Sequence, residues 1–466
     1  MELFNNIILA FNDILWTYIL IAMLIIIGLY FTFKTKFVQF RNIKEMFRLL
    51  GDGAKSKDNK NTISSFQAFC ISTASRVGTG NLAGIATAIA IGGPGAIFWM
   101  WLIALIGSAS AFIESTLAQI YKEKDGSNFI GGPAYYMEKG LKKKWMGVIF
   151  AILITISFGL VFNSVQSNTI ALSLNSSFGI DTKIVGIVLT ILTVIIIFGG
   201  VKRIANVSSV LVPIMAIAYI LVALFIVFKN ITAIPSIISL IFENAFGINQ
   251  FVGGSIGAAL MQGIKRGLFS NEAGMGSAPN AAATATVSHP IKQGFIQTLG
   301  VFTDTIIICS CTAFIVLLSG VPLDGSIKGI ELTQLAVSSQ VGSWGGIFIS
   351  ICILLFAFSS IVGNYYYGET NIQFITNKKI YLSIYRISVA LMVFFGSLVS
   401  MDIVWNLADV FMGLMAIINL IAIVLLGKIA FKALEDYNKQ KKAGIKEPVF
   451  KASSIPELDD EVTEWK

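Results

Sequence analysis

Two short stretches hold the residues of this chain best suited to chemistry: Arg76-Val77-Gly78-Thr79-Gly80-Asn81 and Asn271-Glu272-Ala273-Gly274-Met275-Gly276. Each sets a glycine pair beside polar or charged groups inside a long apolar run. Glycines so placed weaken a helix, because glycine loses the most conformational freedom when fixed. In hydrocarbon an unpaired N–H or C=O costs several kcal/mol, so broken backbone survives there only against protein or a watery cavity. The freed groups then become ligands. Amide N–H groups at the start of a half-helix suit a carboxylate, and bare carbonyls suit a cation. That chemistry is reversible binding. Covalent catalysis has little support: the one histidine, His289, stands beside Pro290, and Cys70, Cys309, Cys311 and Cys352 lie in apolar surroundings without metal-ligand spacing. Neither enzyme activity nor a bound cofactor is expected.

The elements that must position these stretches are membrane helices. Of the 466 residues 55% are hydrophobic and 13% charged, with a mean hydropathy of +0.78; soluble domains carry about 25% charged residues. Apolar blocks fall at about 14–33, 63–91, 95–121, 148–173, 183–198, 207–228, 251–286, 294–319, 343–370, 380–399 and 403–427, each near the length a helix needs to cross a bilayer. The expected fold is therefore an all-α integral membrane protein of about 11 spans. The net charge of +8 is unevenly placed. Eight Lys/Arg follow the first block, six follow the third, and eight lie from Lys428 onward, all on one side, whereas the other side holds only Lys183, Lys229 and Lys328. Basic connections mark the cytoplasmic face. The N-terminus is expected outside and the C-terminus inside, in a lipid bilayer, with no nucleic-acid partner.

Gly78 and Gly80 match Gly274 and Gly276 at an offset of 196. The next four block starts, 95, 148, 183 and 207, recur near 294, 343, 380 and 403. Five spans thus repeat as five, and an odd number turns the second copy upside down. The expected organisation is 1–60, an extra helix and basic connection; 61–230, the first repeat; 248–427, the inverted second repeat; and 428–466, a mobile polar tail. Spans two and seven are expected to be discontinuous, and glycine-interrupted segments in matching positions of inverted repeats point to a transporter's binding site. Arg76 lies about 13 residues into its block and Asp304 about ten into another, both near mid-membrane at about 1.5 Å per residue. Intramembrane charges pair, so Arg76 is expected to pair with Asp304 or Glu272, either as structure or as a fixed charge in an ion site.

The stretches SRVGTGNLAGIATAIAIGGPGAIFWMW, GGPAYYMEKGL, GLFSNEAGMGSAPNAAATA and FAFSSIVGNYYYGE resemble the alanine or glycine:cation symporter family over about residues 60–425. The resemblance implies a LeuT-type fold with one extra helix before its five-plus-five core. It also implies sodium- or proton-coupled symport of a small neutral amino acid: alanine, glycine or glutamine. Carried over by position, Gly78, Thr79, Gly80 and Asn81 would meet the substrate carboxylate, with Phe269, Ser270, Asn271, Gly274 and Met275 opposite. Phe269 either closes over the substrate side chain or serves as a core aromatic. Asn163 and Gln166 share a helix face and either bind the polar ends of the solute or bridge helices. Ser359 and Ser360, with the carbonyls of Ala74 and Val77, would coordinate sodium; the alternative for the hydroxyls is a bond back to their own helix. Family members commonly place a small or hydroxyl residue where this chain has Arg76. A channel would need a ring of like polar groups, and the sequence has none.

The remaining charged residues have quieter expectations. Glu114 and Glu369 should snorkel or bridge to basic loops, at least one of Lys265 and Arg266 should contribute to a gate, and His289 should be solvated.

Overall fold

The computed structural model describes residues 2–55, 62–126, 128–198, 200–247, 255–458 and 462–465. The domain limits expected at 60–61 and 248, and the start of the block from 251, lie outside the described residues. In chain order the membrane-scale elements are α1 (Asn6–Lys34), α2 (Ser65–Arg76), α3 (Gly80–Gly92), α4 (Ala96–Ile120), α5 (Lys144–Phe178), α6 (Thr182–Ile197), α7 (Ile204–Lys229), α8 (Ile256–Asn271), α9 (Ala278–Thr284), α10 (Ile291–Leu318), α11 (Trp344–Ile375), α12 (Lys379–Leu398) and α13 (Met401–Lys442). Eight of them, α1, α4, α5, α7 and α10 to α13, are long and apolar enough to cross a membrane. Among the described residues the protein is all-helical apart from one hairpin, Glu123–Asp125 against Asn128–Ile130.

Local chemistry sets where the key helices start and stop. Ser64 and Gln67 form a reciprocal capping box at the head of α2, satisfying two orphan donors. That helix ends after Arg76, because Val77 is extended (φ −80°, ψ 96°). Helical backbone resumes with a π turn over Gly80–Gly84. Ser255 caps α8, which ends when Glu272 turns left-handed (φ +57°). Gly274 and Gly276 follow at φ +84° and +83°, values that a side chain would strain. Pro279 then sits in the first turn of α9, where its missing N–H costs nothing. Of the further π turns, Thr155–Phe162 in α5 and Phe302–Cys309 in α10 widen the helix locally and carry Phe162 and Asp304.

A short helix follows α4 (Pro133–Lys139) and another follows α10 (Gly329–Val341). Their starts differ by 196 positions (329 − 133), the offset of the glycine pairs. Burial separates inner from outer elements: the most apolar stretch of α4 is 67% buried, and those of α7 and α12 only 28%. The bare side chains of α7 and α12, such as Ile214, Leu221 and Leu391, make a lipid-facing surface.

The lysine-rich face differs from expectation. The helix expected to end near 427 runs on to Lys442, and the following segment is docked. Phe450 N donates to Ser288 O at 2.9 Å, Trp465 Nε1 donates to Gln119 O at 3.0 Å, and Ile455, Leu458 and Val462 are buried. These spaced apolar residues give an otherwise polar tail something to bury. Beside them Ile63 bridges Ala285, tying the head of α2 to the end of α9. His289, expected in solvent, is fully buried against Asp436, Tyr437 and Phe450. Burial pushes its imidazole down from 6.5 to about 4. A base whose folded pKa is depressed contributes stability above its unfolded pKa and loses it as pH falls. The thermal midpoint should therefore drop between pH 6.5 and 4, and less steeply in His289→Gln. Equal slopes in both proteins would remove His289 from that pH dependence.

Candidate functional site

The two interruptions lie against each other. A Cβ at Gly80 would stand 3.0 Å from Phe269 Cδ1 and 3.2 Å from Ser270 Cα, and Ser75 Oγ donates to Glu272 Oε1 at 2.8 Å. The first break meets α5 and α11 as well. Gly78 N donates to Asn81 Oδ1 at 2.9 Å, and Thr79 N donates to Gln166 Oε1 at 3.1 Å. Ser360 Oγ lies 2.8 Å from Ala74 O and 3.3 Å from Val77 O. Gly78 is the close-approach point, since a Cβ there would fall 2.4 Å from Ser360 Oγ and 2.8 Å from Gln166 Oε1. Two of the expected residues turn elsewhere. Ser359 donates to Phe356 O of its own helix at 2.8 Å, an oxygen that Ser360 Oγ also approaches, at 3.1 Å, besides its contacts to the break, and Asn163 donates to Gly159 O, likewise in its own helix, at 3.0 Å. Both make the back-bond that a buried polar group takes when no other partner is in reach.

The second break is held by a residue expected to snorkel or to bridge to basic loops. Glu114 is fully buried and accepts from Gly274 N and Gly276 N, each at 3.1 Å, and from Asn419 Nδ2 at 2.7 Å. One carboxylate thus satisfies two amides that the positive-φ turn frees, and such charge-assisted bonds are roughly twice as strong as neutral ones. Asn419 also donates to Gly274 O at 2.9 Å and accepts from Tyr136. Asn271 Oδ1 accepts from Ala273 N within the loop, and Met275 is fully buried there.

Arg76 makes no direct ion pair with Asp304 or Glu272. Its Nη1 reaches Gln297 O at 3.4 Å, and its side chain packs on Gly300, where a Cβ would stand 2.2 Å from Nη1. The carboxylates are occupied by neutral donors instead. Asp304 accepts from Asn81 Nδ2 and Ser270 Oγ at 2.7 Å each and from Thr305 Oγ1 at 2.9 Å. Glu272 accepts from Ser75 Oγ and, at 2.6 Å, from Ser277 Oγ. Arg76 acts on Glu114, Glu272 and Asp304 through space.

Phe269 sits in an aromatic stack. Phe162 lies parallel to it at 4.5 Å, and Trp405 packs on it at 4.6 Å. Above Trp405 stands the Arg266 guanidinium at 4.5 Å, which pairs with both oxygens of Asp409 at 3.1 and 2.9 Å. Lys265 reaches the same carboxylate at 3.3 Å. Glu369 pairs with Arg386 at 3.0 Å. Sequence reasoning missed Asn419, Phe162, Trp405 and Asp409 altogether. An acid or amide inside an apolar block was the available signal for Asp409 and Asn419; nothing marks Phe162 or Trp405 among ordinary membrane aromatics.

Comparisons with known proteins agree on the family of the chain. The sequence model of the sodium:alanine symporter family matches residues 1–452. The chain is 59% identical to a probable sodium/glutamine symporter GlnT of Bacillus subtilis (strain 168), covering 96% of this chain and 94% of that protein. It is 37% identical to the sodium/alanine symporter AgcS of Methanococcus maripaludis, over 94% of this chain and 98% of that one. Among solved structures, that of MhsT in complex with L-phenylalanine has the same fold: TM-score 0.58 at 15% identity, covering 81% of this chain and 96% of that one. A multi-pass membrane protein with two facing helix interruptions, the chain belongs to the sodium:alanine symporter family.

Proposed function

We propose that the protein imports a small neutral amino acid by sodium-coupled symport with alternating access. It does so on a LeuT-type fold of eleven spans, with the five from α2–α3 to α7 and the five from α8–α9 to α13 as inverted repeats and the lysine-rich face in the cytoplasm. The observation that carries this reading is Ser360, whose hydroxyl meets the carbonyls of Ala74 and Val77 at the first break. These are neutral oxygens from two elements, a set suited to a hard monovalent ion. Sodium there would fasten α11 to the broken segment on which the substrate depends. Moving one charge inward supplies about 2.3 kcal/mol per 100 mV. The substrate carboxylate would take the amides of Gly78 and Thr79, which side-chain oxygens of Asn81 and Gln166 now hold. Gly80 and Phe269 would bound its side chain, with Ser270, Asn271, Gly274 and Met275 shaping the opposite wall. The Arg266–Asp409 pair closes one side, and the Ile63–Ala285 bridge the other.

In liposomes, an inward sodium gradient should drive accumulation of alanine, glycine or glutamine. Ser360→Ala should raise the sodium concentration for half-maximal uptake about tenfold, and Ser359→Ala should leave it within about twofold, because a bond to a coordinating hydroxyl differs from a back-bond by roughly 1–2 kcal/mol. Uptake indifferent to sodium would eliminate the proposal, and equal effects of the two variants would move the ion. A second reading, proton coupling, rests on Asp304, buried among Asn81, Ser270 and Thr305. It requires uptake driven by a proton gradient alone and lost in Asp304→Asn.

A further inference from the structure

The lysine-rich end of the molecule holds a cavity of about 570 Å³ between the end of α1 and the extension of α13. Lys34, Lys36, Arg41, Lys432, Lys439 and Lys442 line it against a single acid, Glu435. Lys432 is neutralised by Glu457. Among the described residues no carboxylate lies within 4 Å of the other five cations, although Arg48, Lys139, Lys144, Lys292 and Lys441 on this face all have acidic partners. Another cavity is lined by three acids, Glu123, Asp125 and Glu138, beside Lys124, Lys378 and Lys379, so that its opposite charges match in number. Uncompensated cations gathered in one cleft repel each other, so the cluster favours an anion.

Its position says which anion. The floor is aromatic, with Phe431 6.2 Å from Phe31 and 6.3 Å from Tyr30. Below it the bare apolar side chains of Ile421, Val424 and Leu425 on α13 and Phe33 on α1 face outward. From Phe431 to Lys442 the helix climbs about 16 Å at about 1.5 Å per residue, enough to cross the headgroup layer that borders the hydrocarbon core. Acyl chains would therefore lie along the apolar side chains and a phosphate among the cations. The turn that presents Lys36 is strained: Lys36 and Phe37 are consecutive non-glycine residues at φ +56° and +57°. It is held by Phe37 N to Thr32 O at 2.8 Å and by Arg41 to Thr35 O at 3.5 Å. Conformations of this kind persist where the surroundings impose them, and they gather at ligand clamps.

We propose that this cleft is a binding site for the phosphate headgroup of an anionic phospholipid, which pins α1 to α13. The shared chemistry is a phosphate monoanion or diester, and a soluble phosphate is the competing source. The full-length protein in detergent would be titrated with phosphatidylglycerol and with phosphatidylcholine, and the first bound lipid counted by native mass spectrometry. Wild type should favour phosphatidylglycerol about tenfold. With each cation near an anionic headgroup worth about fivefold in affinity, K36Q/R41Q/K439Q should lose that preference, while K124Q/K378Q/K379Q, of equal charge change, should keep it. Matching lipid-free thermal midpoints in the two variants would show that folding is intact. Equal loss in both variants, or loss in neither, would overturn the site. Binding of inorganic phosphate strong enough to displace the lipid at millimolar concentration would overturn the lipid in favour of a soluble anion.

Discussion

Glu114→Gln should abolish sodium-driven uptake and lower the thermal midpoint of the purified protein. The glutamine is nearly isosteric, so the loss is one of chemistry. Glu114 presents an oxygen to each of Gly274 N and Gly276 N and accepts from Asn419 as well. Glutamine keeps one oxygen and turns an NH2 toward donors. Each buried donor left without an acceptor costs about 1–3 kcal/mol, so two together come to about 2–6 kcal/mol, or about thirtyfold and upward in any step that needs the assembled turn. The change also removes one of three carboxylates that act on Arg76. Glu114→Asp keeps the charge and should recover part of both readouts. A glutamine variant with wild-type uptake and midpoint would show that the second break holds itself together.

Glu114 also shows where sequence reasoning runs out. Its apolar setting is plain from the chain, but counting depth along α4 places it near a helix end and says nothing of the loop it faces, 160 residues later in sequence. The breaks were legible because glycine pairs inside apolar blocks have few uses, and the near-constant offset put the two in register. Their immediate partners were half legible. Ser359 and Ser360 are adjacent, so one faces the break and the other does not; only the packing of α11 against α2 decides which. Arg76 is buried in the protein. Its pairing was misjudged because Asp304 and Glu272 could be satisfied by hydroxyls and an amide that carry no charge signal in a sequence. The tail from Lys428 was misread because its composition is polar while its few apolar residues, from Phe450 to Trp465, are spaced to reach one surface. Long-range pairings of this kind, such as Trp465 with Gln119 across 346 positions, have no local signature.

The two breaks approach each other closely at Gly80, and there the largest effect of a single side chain is expected. Gly80 is absent from the positive-φ residues, so an L-residue fits its backbone and any loss comes from space. One added carbon already stands 3.0 Å from Phe269 Cδ1 and 3.2 Å from Ser270 Cα, inside ordinary contact. Phe269 cannot give way easily, because Phe162 stacks on it at 4.5 Å and Trp405 at 4.6 Å. The backbone of Ser270 is fixed in turn, through its hydroxyl, to Asp304. Gly80→Ala should therefore push the aromatic ring by a few tenths of an ångström and weaken substrate binding about tenfold, since overpacking costs about 1–3 kcal/mol. Gly80→Leu adds three more carbons where the solute side chain would lie and should leave no measurable substrate binding or uptake. Sodium binding, read through the sodium dependence of thermal stability, should survive, because Ser360 meets the carbonyls of Ala74 and Val77, whereas Phe269 packs on Gly80. A leucine variant that binds substrate with wild-type affinity would remove Gly80 from the site. One that loses its sodium response together with its substrate would mean that the two ligands share one inseparable site.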